Sequence, residues 1–203
     1  MSLTLDAISV FRKGEREYLP CLQEMREFTR GRNEATPDEL WLVEHPPVYT
    51  LGQGAGEVAV GNGIAVVRSD RGGEITYHGP GQIVLYALID LARRGIKVKQ
   101  FVALLEQCVI DLVGPRAERK AGAPGVYVGG AKIAALGIRV TRGRSYHGLA
   151  LNVDMDLAPF RAIDPCGYPG LQVTQTKDIG IKKNKKEIEA RLVKNLIARI
   201  ENA

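Results

Sequence analysis

The sequence predicts a single α/β domain, α+β in its segregation of elements, built on one central mixed sheet with flanking helices and a C-terminal helix. Three observations carry this. Short β-runs dominate the middle of the chain. Apolar positions at helical spacing recur near the start, in the middle and at the end. No internal repeat or long linker divides the 203 residues, so one domain spanning 1–203 is expected.

The elements follow in order. From about Glu15 to Thr29, the residues Tyr18, Leu22, Met25 and Phe28 fall at helical spacing with charges between them. After Pro37 and Asp38, ELWLVEH reads as a strand. Pro46 and Pro47 break it, which makes His45 a turn residue, and VYTLG resumes it. Five glycines between Gly52 and Gly63 mark a loose loop, and Ile64 to Arg68 is a short strand. Ile83 to Ile89 is a continuous apolar run, the pattern of a buried strand. Phe101, Leu104, Leu105, Cys108, Val109 and Leu112 share a helical face within Lys99–Val113, which Gly114 and Pro115 end. A short strand is expected at Val126–Val128. Lys132–Val140 and Ser145–Val153 form a hairpin around Gly143. Ala158 to Gln172, rich in proline and glycine, is a structured loop. Ile188, Leu192, Leu196 and Ile200 define the last helix.

Composition excludes several classes. No apolar run reaches the length of a bilayer span, so no membrane role is expected. The N-terminus lacks the basic start, apolar core and cleavage site of a signal peptide. Three cysteines, Cys21, Cys108 and Cys166, cannot all pair, and their spacing fits no metal or redox motif. Free thiols in a reducing cytoplasm are the simplest account. No phosphate-binding or dinucleotide glycine signature is present, so no nucleotide or other cofactor is expected. The three histidines and the acids form no ligand pattern, so no metal is expected. The net charge of +5 suits an acidic partner. Its clusters (Arg12, Lys13, Arg16, Arg26, Arg30 and Arg32; Lys182, Lys183, Lys185 and Lys186) also fit plain solvated faces. Aromatics make up only 6% and do not interleave with the clusters, which argues against a nucleic-acid-binding module.

The densest chemistry lies in RGGEITYHGPGQ, Arg71 to Gln82: a polar, glycine-rich loop running into a buried strand, where sites are built on rigid scaffolds. A decorated turn is the competing reading. Cys21 and Cys108 fall on apolar helix faces and read as small core residues. Cys166, in DPCGYPG, has no hydrophobic period to explain it; a presented nucleophile and an incidental loop thiol both fit. His78 and His147 are each able to line a site. Lys132 shares a strand face with Ala134, Leu136, Ile138 and Val140. Burial there disfavours the ammonium and lets the amine serve a thiol as base or ion partner. Alternatively Lys132 begins the strand and snorkels to water, which periodicity alone favours.

Four segments, EHPPVYTLGQG, RGGEITYHGPGQ, GAKIAALGIR with SYHGLALNVDM, and PCGYPG, closely resemble in order and spacing the octanoyl-[acyl-carrier-protein]:protein octanoyltransferases, or lipoyl(octanoyl) transferases. The resemblance spans roughly His45 to Gln172. It implies a biotin/lipoate protein ligase-like fold and an acyltransferase with a Cys166/Lys132 dyad. The family's acyl-binding segments map onto Arg71, Gly72, Gly73, Glu74, Ile75, Thr76, Tyr77 and His78, then onto Ala135, Leu136 and Gly137, then onto Gly148, Leu149 and Ala150. The implied donor is octanoyl-acyl carrier protein. The implied acceptors are lipoyl domains of 2-oxoacid dehydrogenase subunits and the glycine-cleavage H protein. An ATP-dependent lipoate or biotin ligase of the same fold is the nearest alternative, and a non-catalytic scaffold a third.

Overall fold

A computed structural model describes residues 7–164 and 170–203. Its large sheet has seven strands: β1 (Ile8–Glu15), β2 (Asp38–Glu44), β6 (Gln82–Leu88), β7 (Ala117–Lys120), β8 (Ala123–Val128), β9 (Ala131–Thr141) and β10 (Arg144–Asn152). They lie in the order β1-β2-β6-β10-β9-β8-β7. Only the β1–β2 pair is parallel. A second sheet joins β4 (Ala65–Arg68), β3 (Val48–Leu51) and β5 (Ile75–His78), in that spatial order. The sequence suggested one sheet, and the difference starts at Pro46 and Pro47. They do not merely interrupt a strand; the chain leaves the large sheet there and β3 begins the small one.

The large sheet is covered on both faces. Leu40 and Leu42 of β2 and Ile83, Leu85 and Ala87 of β6 pack against α2 (Val98–Val113) and α3 (Lys185–Glu201). Trp41, Val43, Val84, Tyr86 and Leu88 face the other way, toward α1 (Tyr18–Gly31). A strand buried on both faces needs no polar alternation, which is why IVLYAL reads as one apolar run. A third cluster seats the small sheet on the 3-10 turn Ala158–Ala162 through Tyr49, Tyr77 and Phe160.

The helices bury the stripes their spacing foretold. Tyr18, Cys21, Leu22 and Met25 of α1 are buried, as are Phe101, Leu105, Cys108 and Leu112 of α2. Gly114, at φ 92°, ends α2. Asn184 and Glu187 form a capping box that starts α3. The β9–β10 hairpin turns through Arg142 (φ 51°) and Gly143 (φ 76°), the left-handed pair that matches strand twist. Strands β1 and β7 had no sequence signal, being charged edge strands only partly buried. Strand β5 lies inside the glycine-rich motif, so residues Ile75–His78 of that expected loop are sheet.

Candidate active site

The motif from Arg71 to Gln82 is held by its own first residue. Arg71 is buried and donates from Nε to Thr50 Oγ1 (3.0 Å), from Nη1 to the Gly72 carbonyl (3.0 Å) and from Nη2 to the Glu74 carbonyl (2.8 Å). These bonds fold the loop back over the end of β3. There, Gln53 N donates to Arg71 O (2.9 Å) and Gly54 N to Gly73 O (3.0 Å). Gly72 N donates to Ile138 O (3.0 Å) and so ties the loop to β9.

The middle of the motif, Ile75–His78, runs as β5 against β3. His78 is buried, with Nδ1 2.7 Å from Gln82 Oε1 and Nε2 3.4 Å from Thr50 Oγ1. Burial, with His45 and Arg71 nearby, pushes its pKa down to about 3, so the ring is neutral. Gln82 in turn donates to Tyr77 O (3.2 Å) and Asn152 Oδ1 (3.0 Å).

His45 is not the turn residue its two prolines suggested. It is fully buried, with Nδ1 2.6 Å from Arg16 O and Nε2 2.7 Å from Tyr86 Oη. Burial lowers its pKa to about 4. Its ring contacts those of Tyr18, His78 and Tyr86 at centroid distances of 5.3 to 5.9 Å. A tyrosine hydroxyl in the apolar run IVLYAL was the available sign that this face holds a polar partner.

His147 adopts φ 60°, a left-handed conformation uncommon for a residue with Cβ. Its ring stacks on Tyr146 at 5.0 Å, and Nε2 lies 2.8 Å from Asp70 Oδ1. Its buried Nδ1 has no hydrogen-bond partner among the described residues. Tyr146 Oη and Arg26 Nε also donate to Asp70, at 2.7 and 2.9 Å. Burial acts to raise the Asp70 pKa, but these three donors outweigh it and hold the carboxyl well below the usual carboxylate range.

These groups line one small, partly open cavity of about 40 Å³. Three sequence-distant segments meet around it: Arg71 and Gly73 to Thr76 with His78; Ala135, Leu136 and Gly137; and Gly148, Leu149 and Ala150. Tyr18, Val84, Tyr86 and His147 complete the lining. Of the candidate residues in those segments, Gly72 and Tyr77 do not line it. Tyr77 packs in the core of the small sheet, and Gly72 lines an adjoining cavity. Gly148 is where a strand backbone passes closest; a Cβ there would lie 2.1 Å from Leu85 O.

Lys132 is placed at the start of β9 and does not snorkel: it is 3% exposed. Its Nζ donates to Pro124 O (3.3 Å) and lies 5.2 Å from the Tyr127 ring centroid. Lys132 does not line the first cavity. Pro124 lines the adjoining one, which shares Gly73, Glu74, Leu136 and Gly137 with the first. The Lys132 backbone also pairs with the segment resuming at Gly170: its N–H donates to Gln172 O (2.8 Å), and Thr174 N donates to its carbonyl (2.9 Å). The candidate nucleophile Cys166 lies outside the described residues. Cys21 and Cys108 are buried among apolar neighbours, as expected. Burial pushes the Cys21 thiol up to about 11 and raises Cys108 as well.

The sequence profile of the lipoyl protein ligase A/B catalytic domain matches residues 18–197. The chain belongs to that family. The octanoyltransferase of Aromatoleum aromaticum is 62% identical over 180 residues, covering 86% of this chain and 78% of that one. The octanoyltransferase of Dechloromonas aromatica is 55% identical over 198 residues, covering 95% and 96%. The family expected from the motifs is therefore the one found. Solved structures share the fold at low identity. A lipoate-protein ligase A bound with ATP superposes with a TM-score of 0.73 at 15% identity, over 96% of this chain and 86% of that one. A biotin protein ligase from Aquifex aeolicus superposes with a TM-score of 0.59 at 9% identity, over 96% and 71%. Among the described residues, no helix is long and apolar enough to cross a membrane.

Proposed function

We propose that this chain transfers an octanoyl group from the thioester of acyl carrier protein to a lysine of lipoyl domains, through a thioester on Cys166. The observation that carries this reading is the convergence of three sequence-distant segments on one cavity with mostly apolar or glycine lining. An eight-carbon chain seated there gains roughly 5 kcal/mol, at about 0.8 kcal/mol per buried methylene. The octanoyltransferase relatives support the same acyl group and reaction class.

In this mechanism the Cys166 thiolate attacks the carrier thioester and expels the carrier thiol. One thioester replaces another, so the step is close to thermoneutral. The acceptor amine then attacks the acyl-enzyme and forms an amide, which is downhill without ATP. Lys132 is the partner of the thiol: its ammonium stabilises the thiolate and gives a proton to the departing carrier thiolate, and the neutral amine so formed takes the proton from the incoming amine as the Cys166 thiolate leaves. Its burial, and the bonding of its backbone to the segment that follows Cys166 in sequence, support that role. Backbone N–H groups of the glycine-rich segments supply donors for the tetrahedral oxyanion. The basic clusters meet the acidic carrier, so KM for the carrier substrate rises with ionic strength. The acceptors are lipoyl domains and the glycine-cleavage H protein, and the reaction belongs to the cytoplasm.

Intact-mass measurement tests this. Wild type incubated with octanoyl-carrier gains one octanoyl group, and Cys166→Ser does not. Cys21→Ser and Cys108→Ser still acylate, and Lys132→Met loses turnover. Equal losses in all three cysteine variants, or an absolute requirement for ATP, would overturn the assignment.

A further inference from the structure

Glu106 is a buried carboxylate on α2 with no part in the mechanism above. Its Oε2 accepts from Arg119 Nε of β7 at 2.9 Å, and its Oε1 accepts from the Gly125 backbone N–H at 3.0 Å. Gly125 N–H and Pro124 C=O belong to one planar peptide group, and in the trans form they point in opposite directions. The carbonyl side of that peptide accepts from Lys132 Nζ at 3.3 Å. A carboxylate, a peptide and an ammonium are thus in line, with the peptide between the two charges.

Two physical consequences follow. A peptide whose N–H is bonded to an anion is polarised, so its carbonyl becomes a better acceptor. The peptide is also fixed in space, because Glu106 is itself held by Arg119. Gly125 leaves room for the arrangement: a Cβ there would lie 3.0 Å from Lys132 Cε and 2.9 Å from Ala134 O. A side chain at this position would displace either the lysine or the strand.

The geometry points to Glu106 as a positioning residue for Lys132, acting through the Pro124–Gly125 peptide to hold the amine in its working place. This inference rests on the assignment of Lys132 above. Glu106 touches neither substrate nor the reacting atoms, and its effect reaches them only through the lysine.

Two readouts separate this role from general stabilisation. In steady-state transfer from octanoyl-carrier, Glu106→Leu lowers kcat on the order of tenfold, the worth of one hydrogen bond to a charged group, with KM little changed. Glu106→Gln, whose amide oxygen still accepts from Gly125, loses less. Independently of turnover, acetylation of Lys132 by dilute acetic anhydride, followed by peptide mass spectrometry, reports the amine directly against the exposed Lys97 of the same molecule. The Lys132 rate relative to Lys97 changes severalfold in Glu106→Leu while the protein stays folded by circular dichroism. An unchanged ratio in folded Glu106→Leu overturns the inference, whatever the turnover. Retained turnover in Lys132→Met instead overturns the catalytic assignment of the lysine, and the labelling ratio still decides whether Glu106 positions it.

Discussion

Asp70 and His147 lie 77 positions apart and meet at 2.8 Å, Nε2 to Oδ1, beside a cavity that neither segment forms alone. The left-handed backbone at His147 is what the pair must hold against strain of about 1–3 kcal/mol. With Nε2–H donated to the carboxylate, Nδ1 is left as an acceptor. Asp70→Asn keeps an oxygen for His147 but turns an amide toward the other donors, Tyr146 and Arg26. Urea unfolding at pH 7 should show a loss of about 1–3 kcal/mol. A variant as stable as wild type would refute this account of the pair.

The pH dependence of stability follows from the histidines, all three of which are buried. Burial lowers each, His45 to about 4 and His78 to about 3, with His147 also lowered. Above the unfolded value near 6.5 neither state binds these protons. Below it the unfolded chain binds them and the native state does not. Stability is therefore full above about pH 6.5 and falls on acidification toward the folded values, by up to about 1.4 kcal/mol per pH unit for each histidine. Asp70 has the depressed carboxyl, so its contribution is present above about pH 3.9 and is lost only at more acidic pH. Urea midpoints at pH 7.5, 6.5 and 5.5 check the histidine term. A flat profile across that window would contradict it.

Asp38 is fully buried and anchors three arginines. Arg32 and Arg93 donate to Oδ1, the latter at 2.8 Å, and Arg94 donates to Oδ2 at 2.6 Å. The Asp90 N–H adds a fourth bond at 2.7 Å. Asp38→Ala leaves the buried Arg32 guanidinium without its carboxylate and should cost about 3–5 kcal/mol. A drop in unfolding free energy below about 1 kcal/mol would show that the cluster matters little.

Gly148→Ala tests the packing of the cavity wall. The added methyl meets the Leu85 carbonyl, which belongs to a central strand and cannot yield cheaply. About 1–3 kcal/mol of stability should be lost as β10 and β6 separate. Because Gly148 lines the cavity, octanoyl transfer should fall as well. Wild-type stability together with wild-type transfer would rule out a close-contact role for this glycine.

Local pattern made much of this molecule legible. The stripes of α1, α2 and α3, the β9–β10 hairpin around Gly143 and the buried run of β6 all follow from side-chain period and turn chemistry, which act over a few residues. The segments that line the cavity could be named because the motifs around them resemble, in order and spacing, those of the octanoyltransferases. Where the pattern was weak, the reading was poor. Strands β1 and β7 are charged edges, and β5 was hidden among glycines.

What the sequence by itself determined was the family, the helix faces and the segments that line the cavity. Only the tertiary structure decided how they meet. It buried His45 against Tyr86 instead of leaving it in a turn, kept Lys132 from water, and set Glu106 behind the peptide that receives the lysine. The physical reason is range. Periodicity and turn chemistry are properties of neighbours in the chain, whereas burial and hydrogen-bond partners arise only when distant segments exclude water from one another.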